Sequence, residues 1–168
     1  MASLGGRTML VGDPERGRLL LMHQRPRAAL AEFVLSTQHE PSSLTNWYLR
    51  ALAEQALASH RSAIHSLTTC IALDPDQPEP FHARAVSHLA LKEHKAALRD
   101  IEKTLEIDPS SVSARLDRGI IRFESKNYAG AEEDVTAALV GEYPETRLWF
   151  LRARIRDKLG NKKGAASD

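Results

Sequence analysis

With one cysteine in its 168 residues, Cys70, the chain holds no disulfide of its own; this fits a reducing compartment, with the cytoplasm as the default. Long apolar runs are missing too. Nothing approaches the roughly 20 residues that span a bilayer, and the short stretch Leu19 to Met22 is too crowded by Glu15, Arg16 and Arg18 to be a signal core. Aromatic residues reach only 5%, and with alanine and leucine plentiful this disfavours strands and favours helices. Neither sign of charge dominates: the net charge is +1, so no global field points to nucleic acid or a membrane.

Motifs that carry chemistry are equally scarce. None of the seven histidines has the His-Glu-x-x-His spacing that sets two imidazoles on one helix face. Gly5-Gly6-Arg7 through Gly12-Asp13 lacks the Gly-Lys-Ser/Thr ending of a phosphate loop, and Asp74-x-Asp76 lacks the later Gly and Glu of a calcium loop. Cys70 falls where other parts of the chain place small buried residues, so inert packing is expected rather than a nucleophile. Nothing assembles a base, a nucleophile and an oxyanion site. The expectation is no enzyme, no metal and no cofactor.

What the sequence does contain is a period. Pro41, Pro75 and Pro109 are 34 residues apart, and two of them close the phrases Ala72-Leu73-Asp74-Pro75 and Glu106-Ile107-Asp108-Pro109. Counting back gives repeat starts at Leu10, Leu44, Pro78, Val112 and Thr146. The eighth position is always tiny (Gly17, Ala51, Ala85, Gly119, Ala153), and the twentieth is always alanine (Ala29, Ala63, Ala97, Ala131, Ala165). The twenty-fourth is apolar (Phe33, Leu67, Ile101, Val135) and the twenty-seventh compact (Ser36, Cys70, Thr104, Ala138). Small residues at two places let a pair of antiparallel helices approach closely, and the bulky twenty-fourth residue fills the gap to the next pair. Asp-Pro ends the second helix, because the residue before proline avoids helical geometry. No single pair can bury its apolar face, so neighbours must stack.

This pattern resembles the tetratricopeptide repeat family, with its Trp-x2-Leu-Gly-x2-Tyr, Ala-x3-Phe and Pro signature, and the resemblance runs from Leu10 onward. It implies an all-α, right-handed α-solenoid of helix-turn-helix repeats over 10–43, 44–77, 78–111, 112–145 and a partial 146–168, after a flexible leader at 1–12. Helices are expected at 14–24, 27–38, 44–57, 61–73, 78–91, 94–107, 112–125, 128–140 and 145–159. The last is expected to cover the stack, the fifth repeat being cut before its second helix could finish. Only the second repeat keeps the family's Trp (Trp47), and the usual Tyr site carries Leu20, Glu54, His88, Arg122 and Arg156.

The resemblance also implies a protein-interaction scaffold that binds a partner peptide or amphipathic helix along the first helix of each repeat. The family's groove positions are Arg18, Leu21 and Met22 in the first repeat, and Tyr48 and Leu52 in the second. His82, Val86 and Leu89 follow in the third, Leu116, Ile120 and Phe123 in the fourth, and Phe150 and Arg154 in the fifth. Tight curvature burying these side chains as extra core is the competing expectation. The carboxylate clamp of chaperone-tail binders is absent: its places hold Tyr48, Leu52, Ala83, Ser113 and Asp117. Two other functions stay open. Arg147 to Lys163 carries seven basic residues against Asp157, suited to an acidic partner or RNA, although the near-neutral net charge argues against nucleic acid. Trp149, Leu151 and Ile155 could instead pair with a second copy in a weak homodimer. Phrases such as Ala83-Arg84-Ala85-Val86-Ser87-His88-Leu89 are similar to arrays attached to bacterial serine/threonine kinases, which implies a signalling context.

Overall fold

The computed structural model describes residues 11–139 and 146–168. Among them are ten α-helices and no strand: α1 (Pro14–Met22), α2 (Pro26–His39), α3 (Leu44–Ala56), α4 (His60–Leu73), α5 (Pro78–Ala90), α6 (His94–Ile107), α7 (Val112–Glu124), α8 (Tyr128–Ala138), α9 (Thr146–Lys158) and α10 (Lys162–Ser167). The expected starts at 44, 78 and 112 are the observed ones. The fifth repeat also has a second helix, α10, which the sequence pattern left unfinished. Of the leader expected at 1–12, residues 1–10 lie outside the described residues. Gly12 is buried, and a Cβ there would collide with the Glu32 carbonyl of α2.

Every first helix stops a residue or two short of its expected end, and the cause recurs with the period. The fifteenth residue turns into the left-handed region: Gln24 (φ 56°), Ala58 (55°), Lys92 (60°), Lys126 (64°) and Gly160 (78°). The next residue's N–H then reaches back five places, as in Ser59 N–H to Glu54 C=O and Glu93 N–H to His88 C=O, both at 2.8 Å. This satisfies carbonyls the helix would otherwise leave open. The starts are capped by side chains where the sequence supplies them. Asp13 Oδ1 accepts from the Glu15 and Arg16 amides at 3.0 and 3.1 Å, and Asn127 and Asn161 accept from Gly130 and Gly164.

The chain divides into two compact units, one ending at Pro75 and one starting at Asp76. In the first, α1 packs on α2, α2 on α3 and α3 on α4, and Ala29, Phe33 and Ala53 are buried with Leu20, Leu21, Leu30 and Leu49 against them. In the second, each helix from α5 to α10 packs on the next. One core holds Ala85, Ala97, Ile101, Ala114 and Ile121. The other holds Leu116, Ala131, Val135, Ala138, Leu139, Leu148 and Ile155. The periodic positions explain both units. Ala29, Ala63, Ala97 and Ala131 are fully buried, as are Phe33, Leu67, Ile101 and Val135. The tiny eighth residue meets the bulky twenty-fourth in the first and fourth repeats: a Cβ on Gly17 would come within 2.6 Å of the Phe33 ring, and one on Gly119 within 3.1 Å of Val135.

Candidate functional site: the first-helix face and its charged supports

Five arginines, one per repeat, anchor the helix pairs. The seventh position is Arg16, Arg50, Arg84, Arg118 and Arg152, and the twenty-third is Glu32, Ser66, Asp100, Asp134 and Asp168. Arg84 grips Asp100 through Nε at 2.8 Å and Nη2 at 2.7 Å. Arg118 does the same to Asp134, at 3.0 and 2.6 Å, and Arg152 to Asp168. Arg16 pairs with Glu32 at 3.3 Å in solvent. In the second repeat the acid has moved: Glu54 accepts from Arg50 at 3.0 Å and from the Ser66 hydroxyl at 2.8 Å. The polar residues at the usual Tyr site serve these same stations. Arg122 adds a bond to Asp134 at 2.9 Å, Arg156 one to Asp168 at 2.9 Å, and His88 lies 3.8 Å from Asp100. Asp134 and Asp168 side chains are 4% and 2% exposed, so fixed donors must replace lost water. The bond from Arg152 holds the Asp168 carboxyl below its ordinary range. Bonds to Asp134 and Glu132 raise the Arg118 and Arg156 guanidiniums above theirs.

Over these supports lies the face expected to bind a partner. In the second unit, α5, α7 and α9 are linked through side chains assigned to it. His82 Nε2 lies 2.9 Å from Asp117 Oδ2, joining α5 to α7. The Arg154 guanidinium sits 5.2 Å from the centre of the Phe123 ring, joining α9 to α7. Three apolar residues stand out from it: Val86 (41% exposed), Ile120 (38%) and Phe150 (69%). Leu89 and Phe123 are half-buried against the two cores, and Leu116 is buried within one. The face is therefore divided between groove and core residue by residue. In the first unit, Tyr48 and Leu52 are half-buried, Leu21 packs on the core, and Arg18 and Met22 are exposed.

The other surfaces offer less. Ile155 is fully buried, with Trp149 and Leu151 packed against its cluster, so these residues are used within the chain instead of forming an open pairing face. Of the seven basic residues from Arg147 to Lys163, Arg152 and Arg156 point to Asp168 and Glu132. Burial pushes the Cys70 thiol up to about 12, and its Sγ donates to the Leu44 carbonyl, which leaves almost no thiolate at neutral pH. Among the described residues no three His, Cys, Asp or Glu side chains are grouped to hold a metal, and no helix is long and apolar enough to cross a membrane.

The 34-residue geometry has known counterparts. The family model described as tetratricopeptide repeat matches residues 82–146. Residues 82–146 are tetratricopeptide repeat sequence. Solved tetratricopeptide structures share its fold along nearly its whole length. MamA of Desulfovibrio magneticus RS-1 superposes with a TM-score of 0.82 at 18% identity, over 94% of this chain and 92% of that one. PilF of Pseudomonas aeruginosa gives 0.82 at 16% identity, over 90% and 69%. A thermophilic tetratricopeptide protein of Thermus thermophilus gives 0.70 at 19% identity, over 92% and 84%. At these identities the likeness is one of fold, the all-α tetratricopeptide solenoid. No curated protein is similar enough in sequence to count as a relative.

The arginine stations escaped the sequence reading although their signal was present. Arginine at the seventh position never varies, and an acid stands sixteen residues later in four repeats of five. Attention to apolar periodicity alone passes over it.

Proposed function

We propose that this protein is a non-catalytic interaction module that holds an amphipathic helix or extended apolar segment of a protein partner against the first-helix face of its second unit. The fold itself implies a protein–protein interaction scaffold. The finer reading is carried by one observation: Val86, Ile120 and Phe150 project from three successive first helices, at 41%, 38% and 69% exposure. An apolar row on a polar-rimmed surface suits the buried stripe of a guest segment. His82 and Asp117 near one end, and Arg154 at the other, supply polar groups that would fix its direction. Tyr48 and Leu52 hold equivalent repeat positions in the first unit, and Leu89 and Phe123 pack against the two cores of the second. A regulatory or signalling setting accords with the likeness of the repeat phrases to arrays beside bacterial kinases.

Selection of peptides from a displayed random library on the folded protein tests this. Selected peptides should carry apolar residues at helical or alternate spacing. They should bind the Val86→Asp/Ile120→Asp double variant at least tenfold more weakly, with its helical circular dichroism unchanged. Peptides that bind the double variant as tightly as the parent would rule the face out.

A further inference from the structure

In three repeats the seventh-position arginine is covered by an aromatic ring from the fourth position. Arg50 lies 5.1 Å from the centre of the Trp47 ring, Arg84 5.8 Å from that of Phe81, and Arg152 4.6 Å from that of Trp149. The Trp47 ring also donates its Nε1–H to the carbonyl of Pro41, six residues back. The fourth repeat breaks this rule. Its fourth position is Arg115, which gives the same hydrogen bond to the carbonyl of Pro109, six residues back, but brings no ring. The first repeat, with Asp13 there, leaves the Arg16 side chain 69% exposed instead.

Where the ring is missing, the surface opens into a cleft of about 460 Å³. Its lining includes Arg115, Arg118, Leu105 and Pro109, together with Glu133 and Ala137 of α8. The volume lies within the roughly 300–1,000 Å³ of small-ligand clefts. Three arginines of α7 in the lining invite an anion, but each already gives at least one nitrogen to an acceptor within the chain. Arg118 uses Nε and Nη2 on Asp134, Arg122 uses Nη1 on Asp134 and on the Gly130 carbonyl, and Arg115 is turned to Pro109. Glu133 and Asp134 in the lining would also repel a negative group. A guanidinium whose edge is occupied still offers its flat face, and an aromatic ring is the group that stacks there.

We propose that this cleft receives an aromatic side chain, Trp, Tyr or Phe, from a protein partner, the guest ring taking over the cover that Trp47, Phe81 and Trp149 give from within. The site is separate from the first-helix face and does not depend on it. The test uses N-acetyl-tryptophanamide as probe and the arginine side-chain Nε–Hε resonances of the folded protein. The probe should shift the Arg118 resonance by ring current and leave the Ile120 methyl signals in place. Arg115→Trp supplies the absent ring internally, so it should weaken probe binding at least tenfold. Ala137→Leu, which fills the cleft from α8, should do the same even if bulk at 115 disturbs folding. Three results would each overturn the assignment: no shift at Arg118, undiminished binding in a folded filled variant, or acetate or phosphate shifting Arg118 where the indole does not. A probe that shifts Ile120 instead of Arg118 rejects the cleft and leaves the first-helix face standing.

Discussion

Among the described residues, four turns hold a side chain in a backbone region that favours glycine. Gln24, Ala58, Lys92 and Lys126 all have φ between 55° and 64°, and the fifth equivalent, Gly160, is the one residue suited to it. An L-residue there costs roughly 1–2 kcal/mol, offset in part by the greater freedom glycine has when unfolded. Ala58→Gly should therefore stabilise the first unit by about 0.5–1 kcal/mol, read as a higher midpoint in urea with unchanged slope. An unchanged or lower midpoint would show that the turn stores no such strain. The eighth position gives the reverse case. Gly17→Ala pushes a methyl to 2.6 Å from the fully buried Phe33 ring and should cost about 1–3 kcal/mol. Gly119→Ala meets Val135 at 3.1 Å, where roughly 1 kcal/mol of gained helix propensity opposes the crowding. It should be tolerated, and equal damage from the two substitutions would contradict the close approach seen at Gly17. The sequence declared the small eighth residue openly. It did not declare the left-handed fifteenth, because four of five repeats fill that place with residues that give no turn signal.

At the scale of the helix pair, apolar spacing was legible because burial enforces it. Ala97 and Ile101 can sit nowhere else once α5 and α6 close. The charged stations were harder to read, since their partners are sixteen residues apart and one has migrated: Ser66 stands where the acid should be, and Glu54 supplies it from the neighbouring helix. Helix α10 was missed for a related reason. With six residues it has little intrinsic stability, and it is pinned by Asp168, whose carboxylate receives Arg152 and Arg156. This pin responds to pH in a definite sense. The Asp168 carboxyl is held below its ordinary value, so its stabilisation is fully present above the unfolded value of about 3.9 and is lost as pH falls through the lower folded value. A carboxyl-detected NMR titration should find Asp168 still ionised below pH 3.8, with the α10 amides losing protection as it protonates. Protection that persists through that titration would mean that α10 is held by packing alone.

Across the whole molecule, core residues and the residues proposed for recognition stand on the same helices a few places apart, and α7 separates them most sharply. Leu116 and Ile120 are one turn from each other, and both occupy groove positions of the family. Leu116 is 8% exposed and joins Val135, Leu148 and Ile155 in a core, whereas Ile120 is 38% exposed. Sequence position alone could not divide them, because the division depends on what α8 and α9 bring against α7. An aspartate at 116 would place an unpaired carboxylate in that core, a change of the kind that costs more than about 4 kcal/mol against a total stability of roughly 5–15 kcal/mol. An aspartate at 120 meets solvent and should cost no more than about 1 kcal/mol. Thermal melts followed by circular dichroism should therefore show Leu116→Asp losing its helices at far lower temperature. Ile120→Asp should melt close to the parent while failing to hold the segment that the parent binds. If Ile120→Asp melts with Leu116→Asp, the row formed by Val86, Ile120 and Phe150 is core in disguise, and the partner must be sought on another surface.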